Sequence, residues 1–175
     1  MGILQTFSEW VLSAELSTLR TNIADLQNKI NDLNNKQNIK EAPILSTITN
    51  GDVCRLLLPL CGVIYLSDNQ YDLTSISEAS KFTESTKVAN GKWTTDAHDC
   101  DNFSFASMGY WSDGLYSFAY GIAWSQGHAF NIMIDDQKQV WIVEPQTNDY
   151  MTIDEAKAKK TPDGLLYFPL RLVIM

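Results

Sequence analysis

The sequence predicts an α+β protein, with a helical N-terminal stem followed by a domain built on an antiparallel sheet. Three observations carry this expectation. Apolar residues recur at heptad spacing from Leu12 to Leu33. Helix-type patterns dominate up to about residue 109. Apolar runs of strand length, separated by short polar turns, follow them. The chain has 175 residues, enough for one compact domain and an appendage. Apolar residues make up 45% and charged residues 19%, a balance that builds a core and excludes a wholly disordered chain. Acidic residues outnumber basic ones by 21 to 13, for a net charge of −8. That sign argues against tracking a nucleic-acid backbone and against an anionic membrane surface.

The stem comes first. Leu12, Leu16, Leu19, Ile23, Leu26, Ile30 and Leu33 are spaced alternately four and three apart. This places Leu16, Ile23 and Ile30 at a positions and the other four at d positions of a coiled coil. A lone amphipathic helix lying on its own domain would show a wider apolar stripe. The narrow seam therefore predicts self-association through residues 8–35, as a dimer or a trimer, with Glu15 at g and Arg20 at the following e able to pair between chains. The helix is expected to fail near Asn34-Asn35 and must stop before Pro43. The expected division is a stem and linker over residues 1–40 and a globular domain over residues 41–175.

Within that domain, Ile44 to Thr49 reads as a strand and Asn50-Gly51-Asp52 as a turn. Ile76 to Val88 reads as a helix capped by Ser75 or Ser77, and Cys100 to Gly109 as a helix opened by Asp99. Tyr116 to Trp124, Ala129 to Ile134 and Gln139 to Val143 read as strands, the last two joined through Asp135-Asp136-Gln137-Lys138. Ile153 to Lys160 reads as a short helix capped by Thr152 or Asp154, and Leu165 to Ile174 as a terminal strand. The first seventeen residues carry Glu9 and Glu15 and no basic cluster, so they do not fit a secretory leader. No apolar run approaches the ~18 residues of a membrane span.

The three cysteines, Cys54, Cys61 and Cys100, leave at least one thiol unpaired. Cys54 and Cys61 do not match a zinc half-site spacing and are expected in the core. Cys100 falls in the first turn of a helix, where unpaired N–H groups favour a thiolate, while Asp99 and Asp101 oppose it. His128 and Glu144 lie on two consecutive strands. If Ile134 pairs with Lys138, His128 faces Glu144; if Ile134 pairs with Val140, His128 faces Gln146 and Glu144 lies one diagonal away. Both registers put the imidazole and the carboxylate on one face, because side chains alternate with period two. A thiol, an imidazole and an orienting acid make a complete nucleophilic set. Trp93, Trp111 and Trp124 are candidates to line a cleft, and Trp141 alternates away from the His128 face.

The segments Asp99-Cys100-Asp101-Asn102-Phe103, Gly127-His128-Ala129-Phe130-Asn131 and Glu144-Pro145-Gln146-Thr147, in this chain order, resemble papain-like cysteine hydrolases. With Tyr71-Asp72-Leu73-Thr74-Ser75-Ile76, they are more narrowly similar to the protease-like C-terminal domain of a fungal agglutinin and to related phage and bacterial domains. The resemblance covers about residues 71–150. It implies a papain-like domain with Cys100 as nucleophile, His128 as general base and Glu144 as orienting acid. The papain pattern carries a glutamine before the cysteine for the oxyanion. Lys92 to His98 contains none, so the oxyanion would rest on the Cys100 N–H and on His98 or Trp93, with Gln146 a further cleft candidate. Agglutinin-like members use calcium, which makes Asp96, Asp99 and Asp101 candidate oxygen ligands; no cofactor is otherwise required. Two functions are expected from this reading. One is a cysteine peptidase or amidase of phage or bacterial origin acting on a peptide or amide substrate. The other is an inactive structural or adhesive surface protein, displayed in several copies on the stem.

Overall fold

The structure is a computed structural model and describes residues 15–30, 42–112 and 116–175. Its contacts divide the chain into Met1–Ile39 and Lys40–Met175. In the first unit, residues 15–30 form helix α1. Leu16, Leu19, Ile23, Leu26 and Ile30, the seam residues that lie within it, are each more than half exposed. Leu12 and Leu33 lie outside the described residues.

The second unit is α+β. Strand β1 (Ser46–Thr49) leads directly into helix α2 (Asn50–Leu57). Asn50-Gly51-Asp52 is therefore not a free turn but the first turn of a helix. The reason is the cap: the Thr49 hydroxyl accepts the Asp52 N–H, and Asp52 sits where the helix dipole favours a negative charge. Strands β2 (Ile64–Tyr65) and β3 (Gln70–Leu73) follow, then helix α3 (Ile76–Thr86), capped by Ser75 and closed by Lys87 in the left-handed region. Helix α4 (Cys100–Ser112) runs three residues beyond the expected end at Gly109. Strands β4 (Tyr120–Trp124), β5 (Ala129–Ile134), β6 (Val140–Glu144) and β7 (Asp149–Thr152) come next. Helix α5 (Ile153–Ala158) carries a full capping box between Thr152 and Glu155. Strand β8 (Leu172–Ile174) is the last element.

Six of these strands form one sheet in the order β2-β8-β4-β5-β6-β7, and β1 pairs with β3 in a separate ribbon. The sheet is mixed rather than wholly antiparallel, because β2 and β8 run parallel while the other pairs are antiparallel. The terminal strand is much shorter than Leu165 to Ile174. Thr161-Pro162-Asp163-Gly164 turns the chain, with Gly164 N–H donating to Thr161 O and Gly164 at φ +80°, and Pro169 has no N–H to give a ladder. Likewise Tyr116 to Ala119 precede the strand proper. β8 can lie so close to β4 only because position 121 is glycine: a Cβ there would stand 2.1 Å from the Ile174 carbonyl oxygen. The central strand β5 is buried along its whole length. Phe130, Ile132 and Ile134 on it join Ile142, Val53, Leu57 and Val173 in the main core. Cys61 is buried in that cluster, while Cys54 is half-buried. No helix among the described residues is long and apolar enough to cross a membrane.

Candidate functional site

Helix α4 packs against β4 and β5, and its first residue, Cys100, lies beside His128 and the start of β5. Asn131, buried on β5, makes this docking specific. Its amide donates at 3.0 Å to the Ser104 carbonyl in α4 and at 3.0 Å to the Gly121 carbonyl in β4. Ser104 in turn donates its hydroxyl to the Cys100 carbonyl at 2.8 Å. At the helix start, the Asp99 carbonyl accepts the Phe103 N–H, and the Asn102 side chain accepts the Asp99 N–H. Cys100 thus stands in the first turn, where backbone N–H groups have no partner within the helix.

The β5–β6 register is the second of the two alternatives. Ile134 pairs with Val140 and Asn131 with Val143, so His128 lies across from Gln146 and one diagonal from Glu144. That diagonal is bridged: His128 Nε2 is 2.8 Å from Glu144 Oε2, and both side chains are almost wholly buried. Glu144 is fully engaged. Tyr167 donates its hydroxyl to Oε2 at 3.0 Å, and the Gln146 N–H donates to Oε1 at 3.3 Å. The imidazole stacks on Phe130 and meets the edge of Tyr167, each with ring centroids 6.0 Å apart. Burial raises the Tyr167 phenol well above its ordinary range, and the neighbouring Glu144 carboxylate adds to this.

The other ring nitrogen meets a residue that sequence reasoning did not single out. His128 Nδ1 is 3.0 Å from Asp163 Oδ2, and the Asp163 side chain is one-third exposed. Cys100 Sγ, a His128 ring nitrogen and an Asp163 carboxylate oxygen all lie within 4.8 Å of one another. Burial pushes the Cys100 thiol above its ordinary pKa. A hydrogen bond from the Ala129 backbone N–H acts the other way, and the charges of Asp99, Asp163 and Asp101 add to the rise.

The other candidates are placed as follows. His98 packs edge-on against Phe103 with ring centroids 4.5 Å apart, and its Nδ1 is buried without a partner. Gly91 makes room for it, since a Cβ there would meet the His98 ring at 2.9 Å. Trp93 is exposed. Gln146 has a buried side-chain nitrogen without a partner. Trp111 is buried and stacked on Tyr120, and Trp141 donates its indole N–H to Asp135 at 2.8 Å, away from His128. Asp99 and Asp101 share a hydrogen bond that raises the Asp101 carboxyl, while Asp96 is exposed with its backbone in the left-handed region. Among the described residues, the donors that converge are Cys100, His128 and Asp163. A signal for the turn that carries Asp163 was present in Thr161-Pro162-Asp163-Gly164, a Pro-Asp-Gly turn pattern. Nothing local signalled its approach to His128.

Among solved structures, the chain is similar to a PSL1a–E64 complex and to a Polyporus squamosus lectin bound to the human-type influenza-binding epitope Neu5Acα2-6Galβ1-4GlcNAc. Both likenesses have a TM-score of 0.57 at 20% identity and cover 74% of this chain. The chain spans about half the length of either, 51% and 49%. At that identity the likeness is one of fold. No protein-family model matches the sequence, and no curated protein matches it.

Proposed function

We propose that the protein is a cysteine hydrolase of papain-like type, acting on a peptide or amide bond through Cys100, His128 and Glu144. The observation that carries this reading is the 2.8 Å contact between His128 Nε2 and Glu144 Oε2 inside the fold. With Nε2–H donated to the carboxylate, the free lone pair of the neutral ring is on Nδ1, the nitrogen left to serve Cys100. In the reaction, Nδ1 takes the Cys100 proton as sulfur attacks the carbonyl carbon. It then returns that proton to the leaving amine, and water releases the acyl group from sulfur. Glu144 stabilises the imidazolium formed between these steps. The Cys100 N–H, at the start of α4, is one oxyanion donor.

The experiment is alkylation by iodoacetamide, followed residue by residue by mass spectrometry, alongside turnover of fluorogenic peptide amides. Cys100 should react faster than Cys54 and Cys61, and His128→Ala should abolish that advantage together with turnover. Equal, slow alkylation of all three thiols would sink the reading.

One observation favours a second function. Asp163 stands at the nitrogen that would serve Cys100, and its charge opposes a thiolate. A domain that keeps this contact permanently would be a structural or adhesive module displayed on a self-associating stem. The exposed seam of Leu16, Leu19, Ile23, Leu26 and Ile30 supports such display. The carbohydrate epitope of the Polyporus squamosus lectin belongs to that longer protein. Binding to a glycan array with no amide turnover would favour this reading.

A further inference from the structure

Two carboxylates clasp one imidazole. Glu144 stands at Nε2 and Asp163 at Nδ1. A neutral ring has one N–H to share between them. When it is given to the buried Glu144, the Nδ1 lone pair points at an Asp163 oxygen 3.0 Å away, with the Cys100 sulfur in the same space. Three electron-pair donors then face each other, and a shared proton or a metal cation between them turns that arrangement from repulsive to attractive.

We propose that Cys100, His128 and Asp163 form a site for a thiolate-preferring divalent transition metal, zinc foremost. The donor set is sulfur, imidazole and carboxylate, which selects zinc or cobalt over calcium and magnesium. Tetrahedral zinc with bonds of about 2.0–2.3 Å holds its ligand atoms about 3.3–3.8 Å apart. The three donor atoms, all within 4.8 Å, reach that spacing by small side-chain rotations. The surroundings also fit. A metal-bound histidine usually gives its other N–H to a carboxylate, and Glu144 is there, held in turn by Tyr167. His128 is buried, whereas the one-third exposed Asp163 provides the approach from solvent. Binding releases the Cys100 thiol proton to solvent as the metal–sulfur bond forms. The metal site stands on this geometry alone. Its consequence, reversible arrest of turnover by occupying both sulfur and Nδ1, rests on the hydrolase reading.

The test uses the full chain after chelator treatment, titrated with cobalt(II) and then zinc. Cobalt should give a thiolate-to-metal charge-transfer band at one equivalent. The band should persist in Cys54→Ala and Cys61→Ala and disappear in Cys100→Ser. Zinc affinity should fall about 10–100-fold in Glu144→Gln, the usual cost of losing an outer-shell partner. It should also fall in Asp163→Asn, an exposed change whose folding is checked by circular dichroism. Zinc should slow iodoacetamide alkylation of Cys100. No charge-transfer band, an unchanged band in Cys100→Ser, or alkylation indifferent to zinc would overturn the site. Absence of amide turnover in the metal-free protein would count against the hydrolase alone, because the cobalt band does not depend on it.

Discussion

Asp163 Oδ2 lies 3.0 Å from His128 Nδ1, on the ring nitrogen opposite the one that Glu144 holds at 2.8 Å. The two acids differ in kind. Glu144 is buried with both oxygens engaged, whereas Asp163 sits on the turn Thr161–Gly164 with a third of its side chain in solvent. Glu144 is fixed by the sheet; Asp163 is held by a loop.

The first prediction concerns that loop. In chelator-treated protein, the pH profile for alkylation of Cys100 should have its inflection above the ordinary thiol value of about 8.5. Burial raises the thiol first, and the nearby charges of Asp99, Asp163 and Asp101 add to it. Asp163→Asn removes one of those charges, so its inflection should move down and its rate at neutral pH should rise. Alkylation rates measured between about pH 6 and 10 check this; a profile unmoved by Asp163→Asn would show that the carboxylate does not restrain the thiol.

The buried end of the site should be costly to disturb. Glu144→Ala strands the His128 Nε2–H and the Tyr167 hydroxyl in the interior, and breaking a buried charged network of this kind costs about 3–5 kcal/mol. Tyr167→Phe removes one hydrogen bond to a charged acceptor and should cost about 1.5–3 kcal/mol. Urea unfolding of both variants gives the order. If Tyr167→Phe proved the more damaging, the carboxylate would not be the centre of the network.

Much of the geometry of this site is legible in the sequence, for a definite reason. Strand side chains alternate with period two, so His128 and Glu144 share a face in either of the registers the hairpin allowed. Cys100 was placed by a helix-start signal. The rest depends on long-range packing. Asp163 meets His128 across a separation of 35 residues, and Tyr167, in a segment that reads as a strand because it is apolar, meets Glu144 across 23. The Pro-Asp-Gly turn just before that segment is a readable signal, but its landing place is not. The α2 helix was missed because Asn-Gly-Asp is a strong turn signal, outweighed here by the Thr49 cap. The parallel β2–β8 pair joins residues more than a hundred positions apart, which no local pattern encodes.

Asn131 carries the joint between the site's two halves. Its buried amide ties the α4 carbonyl of Ser104 to the β4 carbonyl of Gly121. Asn131→Ala should destabilise the fold by about 1–3 kcal/mol, the cost of leaving buried acceptors unmet. It should also change the Cys100 alkylation rate, since the start of α4 loses its anchor to β5. Calorimetry and mass spectrometry on the same sample test both. Destabilisation with unchanged Cys100 reactivity would mean that α4 is positioned by other contacts.

Alkaline pH should weaken the domain. Burial raises the phenols of Tyr120, Tyr150 and Tyr167 above their ordinary value. Each stays protonated in the folded state while its unfolded counterpart ionises near pH 10. The unfolded chain then binds fewer protons than the native one, so stability is full below about pH 10 and falls above it. Urea midpoints measured on either side of that pH should show the fall. Tyr150→Phe should make it shallower; an identical slope in the variant would exclude Tyr150 as a source.

The stem gives the last prediction. Leu16, Leu19, Ile23, Leu26 and Ile30 follow one heptad seam along α1, and each is more than half exposed. Burying such a side chain contributes about 1.5–3 kcal/mol, so a row of five is a strong drive to associate. Polar neighbours on the other faces confine that drive to one line, which suits a second or third copy of the same helix. The full chain should therefore run as a dimer or trimer in light scattering. Ile23→Asp, which puts a charge at the central a position, should return it to monomer without altering the Cys100 alkylation rate. A chain that is monomeric from the start would remove the seam as an interface, and an oligomer that survives Ile23→Asp would place the contact elsewhere.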